Sequence, residues 1–68
     1  MNQDAFNMSI RKFLKHVGVH SQREIEAAVE KAMAGGRLKG NEKLPATMTL
    51  RVAGVDLDVT FKDDIALE

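Results

Sequence analysis

The sequence predicts an α+β domain of two amphipathic helices followed by an antiparallel β-hairpin, in the order ααββ, completed by dimerisation. Apolar residues recur at helical spacing in the first half of the chain, and from Ala46 onward they alternate with polar residues. Glycines at Gly18 and at Gly35-Gly36 divide this pattern into separate elements. The length of 68 residues allows a single domain, residues 1–68.

The first helix is expected over residues 4–17. Asn2 or Asp4 can cap its N-terminus with a side-chain oxygen, and Gly18 suits the left-handed residue that often ends a helix. The apolar side of this helix is formed by Ala5, Phe6, Ile10, Phe13, Leu14 and Val17.

The second helix is expected over residues 21–34. Ser21 and Glu24 have the spacing of a capping box, in which each side chain bonds the other's free backbone amide. Residues 18–20 then form a turn, which makes the two helices neighbours in an αα-hairpin or a helix-turn-helix. The apolar side of the second helix is formed by Ile25, Ala28, Val29, Ala32 and Met33.

A polar loop at residues 35–45, a hairpin at residues 46–62 and a tail at residues 63–68 complete the predicted order. The alternation of apolar and polar residues in the hairpin is typical of strands with one covered face. Ile65 and Leu67, in the tail, could begin a third short strand.

The register of the hairpin is predicted from its faces. A turn at residues 53–54 would pair Val52 with Val55 and place both apolar sets of side chains on one side of the sheet. In this register Arg51 stands opposite Asp56 on the polar side. A slip by one residue would move one apolar set to the polar side, so that register is disfavoured.

A core of nine residues is predicted where the helices meet the apolar side of the hairpin. Such a short chain has little apolar surface to offset the conformational entropy lost on folding. The chain contains no cysteine, so disulfides cannot stabilise it. The predicted core residues are Phe6, Ile10, Phe13, Leu14, Ile25, Val29, Leu50, Leu57 and Val59.

This marginal stability predicts a homodimer. An exposed hairpin edge that pairs with a second copy would give a four-stranded sheet and remove the open edge. Pairing through the alanine-rich second helix is the alternative. Besides a second copy of the chain, another protein is the alternative partner. A membrane is not expected as a partner.

The charge of the chain is zero overall but unevenly distributed. Residues 1–40 carry seven Lys/Arg and four Asp/Glu, whereas residues 41–68 carry three and six. This asymmetry could guide association with a second copy or with an acidic partner, or it could be a solvated surface without a role. The first residues lack the features of a secretory signal, so a cytoplasmic location is expected.

Three groups of residues superficially suggest chemistry, and none predicts a site. His16, His20 and Glu24 would form a metal-binding face on one continuous helix, but the expected turn at residues 18–20 separates them. The loop Gly35–Lys43 lacks the Lys-Ser/Thr that follows the last glycine of a phosphate-binding loop.

The carboxylates of the hairpin have no histidine beside them and are interpreted as surface residues that oppose aggregation. These residues are Asp56, Asp58, Asp63 and Asp64. The sequence therefore predicts no catalytic residue, no cofactor-binding residue, no metal ligand and no enzymatic activity. We expect a small protein-interaction or structural module.

Nucleic-acid binding is the alternative function. Helix, turn, helix and hairpin is the order found at the end of a winged helix-turn-helix, and Arg23 would lie near the start of its recognition helix. The zero net charge and the glutamates of the second helix disfavour it, because groove-binding proteins usually present a basic patch. The predicted partner-binding basic surface is Arg11, Lys12, Lys15 and Arg23.

Three segments carry a resemblance to a known family: FNMSIRKFLK from Phe6, GVHSQREIEAAV from Gly18 and LKGNEKLPATMTL from Leu38. Across nearly its whole length the chain resembles a family of small uncharacterised bacterial proteins of unknown function. The resemblance implies a small domain that stands by itself, and it carries over no active-site or ligand-binding residue.

Overall fold

The computed structural model describes all 68 residues as one helix followed by one hairpin. Helix α1 spans Gln3–Ala34, strand β1 spans Lys43–Val52 and strand β2 spans Leu57–Ala66. The predicted α+β class and the antiparallel hairpin are therefore confirmed. The chain divides into two compact units, Met1–Arg37 and Leu38–Glu68. The single domain expected from the length stays a prediction.

The predicted division into helices at residues 4–17 and 21–34 is wrong, because α1 runs through residues 18–20 without a break. A glycine inside a helix costs about 1 kcal/mol relative to alanine, which a helix of 32 residues can absorb. The apolar side also keeps its helical phase across this segment, from Val17 through Ser21 to Ile25. No helix-turn-helix is formed.

Both ends of α1 are capped locally. The side chain of Asn2 accepts a hydrogen bond from the amide of Ala5 at 3.0 Å, so Asn2 rather than Asp4 is the N-cap. At the C-terminus the amide of Arg37 donates to the carbonyl of Ala32 at 2.9 Å. Gly36 permits this closure because its φ is +74°, in the left-handed region.

The hairpin pairs Val52 with Leu57 and Leu50 with Val59. The predicted pairing of Val52 with Val55 is therefore wrong by two residues along β2. A shift of two residues keeps every side chain on its predicted side of the sheet, because side chains alternate with a period of two. Arg51 consequently lies opposite Asp58 instead of Asp56.

A four-residue turn explains this register. The turn comprises residues 53–56, in which Gly54 has φ +93° and Asp56 has φ +52°. A two-residue turn on Ala53-Gly54 would be of the type that requires a positive φ at Ala53, which alanine disfavours. Glycine adopts positive φ freely, and aspartate tolerates it better than most residues. In the longer turn, the two positions with positive φ are occupied by Gly54 and Asp56.

The segment expected as a tail continues β2. Ile65 pairs with Leu44 across the sheet, and the amide of Leu67 donates to the carbonyl of Glu42 at 3.0 Å. There is no third strand, since the sheet has two. The hairpin is therefore longer at its open end than the expected 46–62.

The predicted core residues are not buried, and neither unit has a core of its own. Phe6, Phe13 and Leu14 are each about half exposed, at 48%, 47% and 53%. The physical reason lies within each unit: one helix cannot cover its own apolar side, and a two-stranded sheet cannot cover its own face. The other predicted core residues are likewise exposed or only partly covered: Ile10, Ile25, Val29, Leu50, Leu57 and Val59.

Replacing Gly18 by alanine should stabilise the protein, because alanine favours the helix interior by about 1 kcal/mol over glycine. A Cβ atom at Gly18 would meet nothing within 4 Å. The change should raise the urea concentration at the midpoint of unfolding, followed by the helical circular-dichroism signal.

The matched control is Gly36→Ala, which also meets no neighbouring atom but sits at φ +74°. It should destabilise the protein by about 1 kcal/mol, since an L-residue resists that conformation. A loss of stability in Gly18→Ala as large as that in the control would contradict a continuous helix at residue 18.

Candidate functional site

The predicted basic surface lies on α1, and all four of its side chains are exposed. Arg11, Lys12 and Lys15 fall within little more than one helical turn, and Arg23 follows about 12 Å beyond Lys15 along the axis. At about 100° per residue, Lys12, Lys15 and Arg23 point away from the apolar side of the helix, and Arg11 borders it. Their role as a partner-binding surface stays a prediction.

Acidic side chains share this side of the helix. Glu26 and Glu30 follow Arg23 on the face opposite to the apolar residues. They divide the outer face into a basic half near Arg11–Lys15 and a mixed half beyond Arg23. The surface is thus not a continuous basic patch of the kind that binds phosphate backbones.

The two histidines lie one turn apart on α1. Their ring centroids are 4.5 Å apart and the ring planes are inclined at 53°. The expected break between them is wrong, so His16, His20 and Glu24 do follow one another at steps of one turn on a single helix. No group of three potential ligands comes close enough together to hold a metal ion.

The most organised polar arrangement is the loop before β1. The carboxylate of Glu42 accepts hydrogen bonds from three backbone amides: Lys39 at 2.9 and 3.1 Å, Gly40 at 2.9 Å and Asn41 at 3.2 Å. Consecutive amides that converge on one point form an anion-binding concavity. The phosphate-loop resemblance of this segment thus has a structural basis, but the anion is a side chain of the same loop.

The pKa of Glu42 is lowered from its ordinary value by these hydrogen bonds. The bond from the amide of Lys39 is the largest cause, partial loss of solvent opposes it, and the amides of Gly40 and Asn41 lower the pKa further. The charged carboxylate therefore holds the loop in shape, which is a structural role. Sequence reasoning missed it, although a glutamate just after Gly40 in a polar loop is a signal for such an arrangement.

The aspartates of the hairpin do not form a paired-carboxylate site. Asp56 occupies a turn position, and Asp58 makes an exposed ion pair with Arg51 at 3.4 Å. Asp63 accepts a hydrogen bond from the neighbouring amide of Asp64 at 2.8 Å. Each has a local role in the hairpin, and an exposed ion pair of this kind contributes about 1 kcal/mol at most.

Each unit has one predominantly apolar side whose residues are exposed or half-buried. No helix in it has the combination of length and hydropathy needed to cross a membrane. The first surface, named here the helix stripe, runs along one side of α1. It consists of Phe6, Ile10, Phe13, Val17, Ser21, Ile25, Ala28 and Ala32, with Leu14 and Val29 at one border and the charged Glu24 and Lys31 at the other.

The second surface, named here the sheet face, is one side of the hairpin. The opposite side is polar and includes a contact of 3.2 Å between the hydroxyls of Thr49 and Thr60. In the sheet face, Phe61 is 59% exposed and Val59 is 40% exposed. The sheet face consists of Leu44, Ala46, Met48, Leu50, Val52, Leu57, Val59, Phe61, Asp63 and Ile65.

Glu42→Gln should loosen the loop at neutral pH, because the uncharged side chain attracts the three amides less strongly. The folded state lowers the pKa of Glu42, so the stabilisation is fully present above the ordinary value and is lost as pH falls through the lowered one. Amide hydrogen exchange at Lys39 and Gly40, followed by NMR, should be faster in the variant at neutral pH and nearly equal to wild type in acid.

Glu30→Gln makes the same change of charge on the exposed side of α1 and serves as the control. It should leave exchange in the loop unchanged. Equal exchange rates at Lys39 in wild type and Glu42→Gln at neutral pH would contradict the structural role of this carboxylate.

Comparison with known proteins supports the resemblance found in the sequence. No curated protein and no solved structure matches the chain. A family described as a family of unknown function, DUF6494, matches residues 1–68. Because the match covers the whole chain, the protein belongs to this family of unknown function.

Proposed function

We propose that the protein is a non-catalytic, self-associating interaction module whose simplest form is a homodimer. The observation that carries this proposal is that neither unit buries a side chain, together with two long, predominantly apolar surfaces. Monomeric proteins rarely expose apolar patches larger than a few hundred Å², and larger patches mark interaction sites. The helix stripe and the sheet face are therefore the proposed binding surfaces.

The energetics of the two elements support association. In most proteins, helical stability comes from packing of the apolar face against another surface. An isolated two-stranded hairpin is marginally stable in water. Each fully covered Leu, Ile, Val, Phe or Met side chain contributes about 2 kcal/mol, so covering these surfaces with a second chain supplies the missing stability. Folding and association are then a single process.

The absence of catalysis is part of the proposal. Perturbed pKa values cluster at active sites, where they tune acids, bases and nucleophiles. Glu42 owes its lowered pKa to amides of its own loop, which already occupy the carboxylate. Its chemistry is therefore used in folding. The cytoplasmic location expected from the sequence stays a prediction.

Sedimentation equilibrium should give a mass of about twice 7.5 kDa, and dilution should reduce the mass and the helical signal together. Ile10→Ala removes a large side chain from the N-terminal half of the helix stripe. We expect it to cost at least about 2 kcal/mol, or more than tenfold in the dissociation constant.

Lys12→Ala, two residues away on the outer side of the helix, is the matched control and should leave the dissociation constant nearly unchanged. A mass of one chain at high concentration, with a cooperative melt whose midpoint does not depend on concentration, would contradict self-association.

Titration with random duplex DNA should give no binding that weakens with salt. The helix-turn-helix on which the nucleic-acid alternative depended is absent, and Glu26 and Glu30 accompany Arg23 on the outer face of α1. Counterion release makes true DNA binding strongly salt-dependent. Salt-dependent binding that Arg23→Glu removes, while the mass stays unchanged, would favour the nucleic-acid function.

A further inference from the structure

We infer that two copies of this chain pair their α1 helices in antiparallel orientation, with the two-fold axis level with Val19. This inference rests on the proposed self-association and adds the orientation and register of the pair. In this arrangement, a residue of one helix and a residue of its partner lie at the same height along the axis when their two numbers add up to 38. Three properties of the helix stripe lead to it.

The first property is positional symmetry. The four stripe positions before Val19 are 6, 10, 13 and 17, and the four after it are 32, 28, 25 and 21, each pair adding to 38. A two-fold axis perpendicular to two antiparallel helices brings such positions to the same height. An isologous interface uses the same patch on both copies, so a stripe symmetric about its own midpoint fits its copy along its whole length.

The spacing of the stripe also sets the geometry of the pair. Seven steps cover the 26 residues from Phe6 to Ala32, an average of about 3.7 residues per step. Left-handed coiled coils need an average spacing of about 3.5 residues. A longer spacing keeps the stripe straight or slightly right-handed, so the two helices should lie nearly straight against each other over about 39 Å.

The second property is the distribution of side-chain size. The N-terminal half of the stripe carries Phe6, Ile10 and Phe13, whereas the C-terminal half ends in Ala28 and Ala32. In the antiparallel pair each of two levels combines a large residue with an alanine: Phe6 with Ala32, and Ile10 with Ala28. These two levels have similar total volumes, which allows close packing at both ends of the interface, whereas Phe13 with Ile25 and Val17 with Ser21 make a larger and a smaller level nearer the axis.

A parallel pair would place each residue level with itself. Two copies of Phe6 and Phe13 would crowd one end, while facing copies of Ala28 and of Ala32 would leave gaps at the other. Crowding and cavities each destabilise a packed interface. Side-chain size therefore disfavours the parallel pair.

The third property is charge. Residues 3–18 of α1 contain three basic residues and one acidic residue, whereas residues 20–34 contain two basic and three acidic residues. The net charges are thus +2 and −1, and an antiparallel pair sets these halves against each other. A parallel pair would set halves of like net charge level with each other. Most of these charges lie on the outer face, so their effect across the pair acts at long range and is weakened by salt. Lys15 and Arg23 share a height and repel, which reduces but does not reverse this preference.

Exposed charges of this kind contribute little to affinity, and their main effect is on the orientation of the pair. The affinity comes from the apolar stripe. Both contributions favour the same orientation, although one depends on side-chain volume and the other on charge.

Cysteine cross-linking tests the orientation directly, because the natural chain contains no cysteine. Ile10→Cys and Ala28→Cys are prepared separately, mixed under reducing conditions, and oxidised in a glutathione buffer. The two variants differ in mass, so mass spectrometry distinguishes the mixed disulfide from the two self-disulfides. A disulfide needs Cα atoms about 4–7 Å apart.

The mixed sample should form the disulfide between residues 10 and 28, at least tenfold in excess over self-disulfides of either variant. In the antiparallel pair, residue 10 lies 18 residues, or about 27 Å along the axis, from its own copy. The control pair is Lys12→Cys with Glu26→Cys, which share a height but lie on the outer face. That pair should not cross-link.

The remaining outcomes separate this inference from the proposed function. Dimeric mass with efficient self-disulfides of Ile10→Cys and of Ala28→Cys would overturn the antiparallel orientation and leave self-association standing. Dimeric mass without any disulfide from these positions would overturn the helix interface in favour of the sheet face. A monomeric mass of wild type and of both reduced variants would overturn both, with the stripe then covered by the same chain or by another protein.

Discussion

The constraint on which this structure depends is that neither of its units has an interior. An α-helix can satisfy its backbone hydrogen bonds by itself, and an antiparallel hairpin can satisfy those between its two strands, but neither can cover its own apolar side. In this protein both apolar sides are long, and no side chain is buried. The polar requirements of the chain are met locally, at the helix caps, in the loop around Glu42 and across the hairpin. The apolar side of each unit can be covered only by another surface.

This division of roles explains where function is located. Glu42 is the best-connected polar side chain, and its carboxylate is occupied by the amides of its own loop. The histidines and the hairpin aspartates have local contacts only. The features that remain are surfaces, not reactive groups, and the proposed function follows from their extent. A symmetric assembly is an economical solution because one patch serves both partners, and the helix stripe has the positional symmetry that such an interface needs.

The same constraint accounts for the asymmetry of the helix sequence. Large apolar residues and positive charge are concentrated towards the start of α1, and alanines and negative charge towards its end. In the proposed antiparallel pair, each half of one helix complements the other half of its copy in volume and in charge. The gradient in the sequence then becomes complementarity in the assembly.

The sequence by itself determined the α+β class, the two faces of the hairpin and the identity of the apolar residues, because these depend on local periodicity. Only the tertiary structure decided that Gly18 lies inside a helix, since a glycine is compatible with both a helix interior and a helix end. It also decided the hairpin register. Two registers that differ by two residues place the same side chains on the same faces, so the sequence pattern does not distinguish them. The choice depends on the turn, because the shorter turn requires a positive φ at Ala53. Finally, it showed that residues such as Phe6 and Leu57 are exposed in the single chain. Periodicity identifies which side chains avoid water, but whether their cover comes from the same chain depends on how many layers the fold brings together.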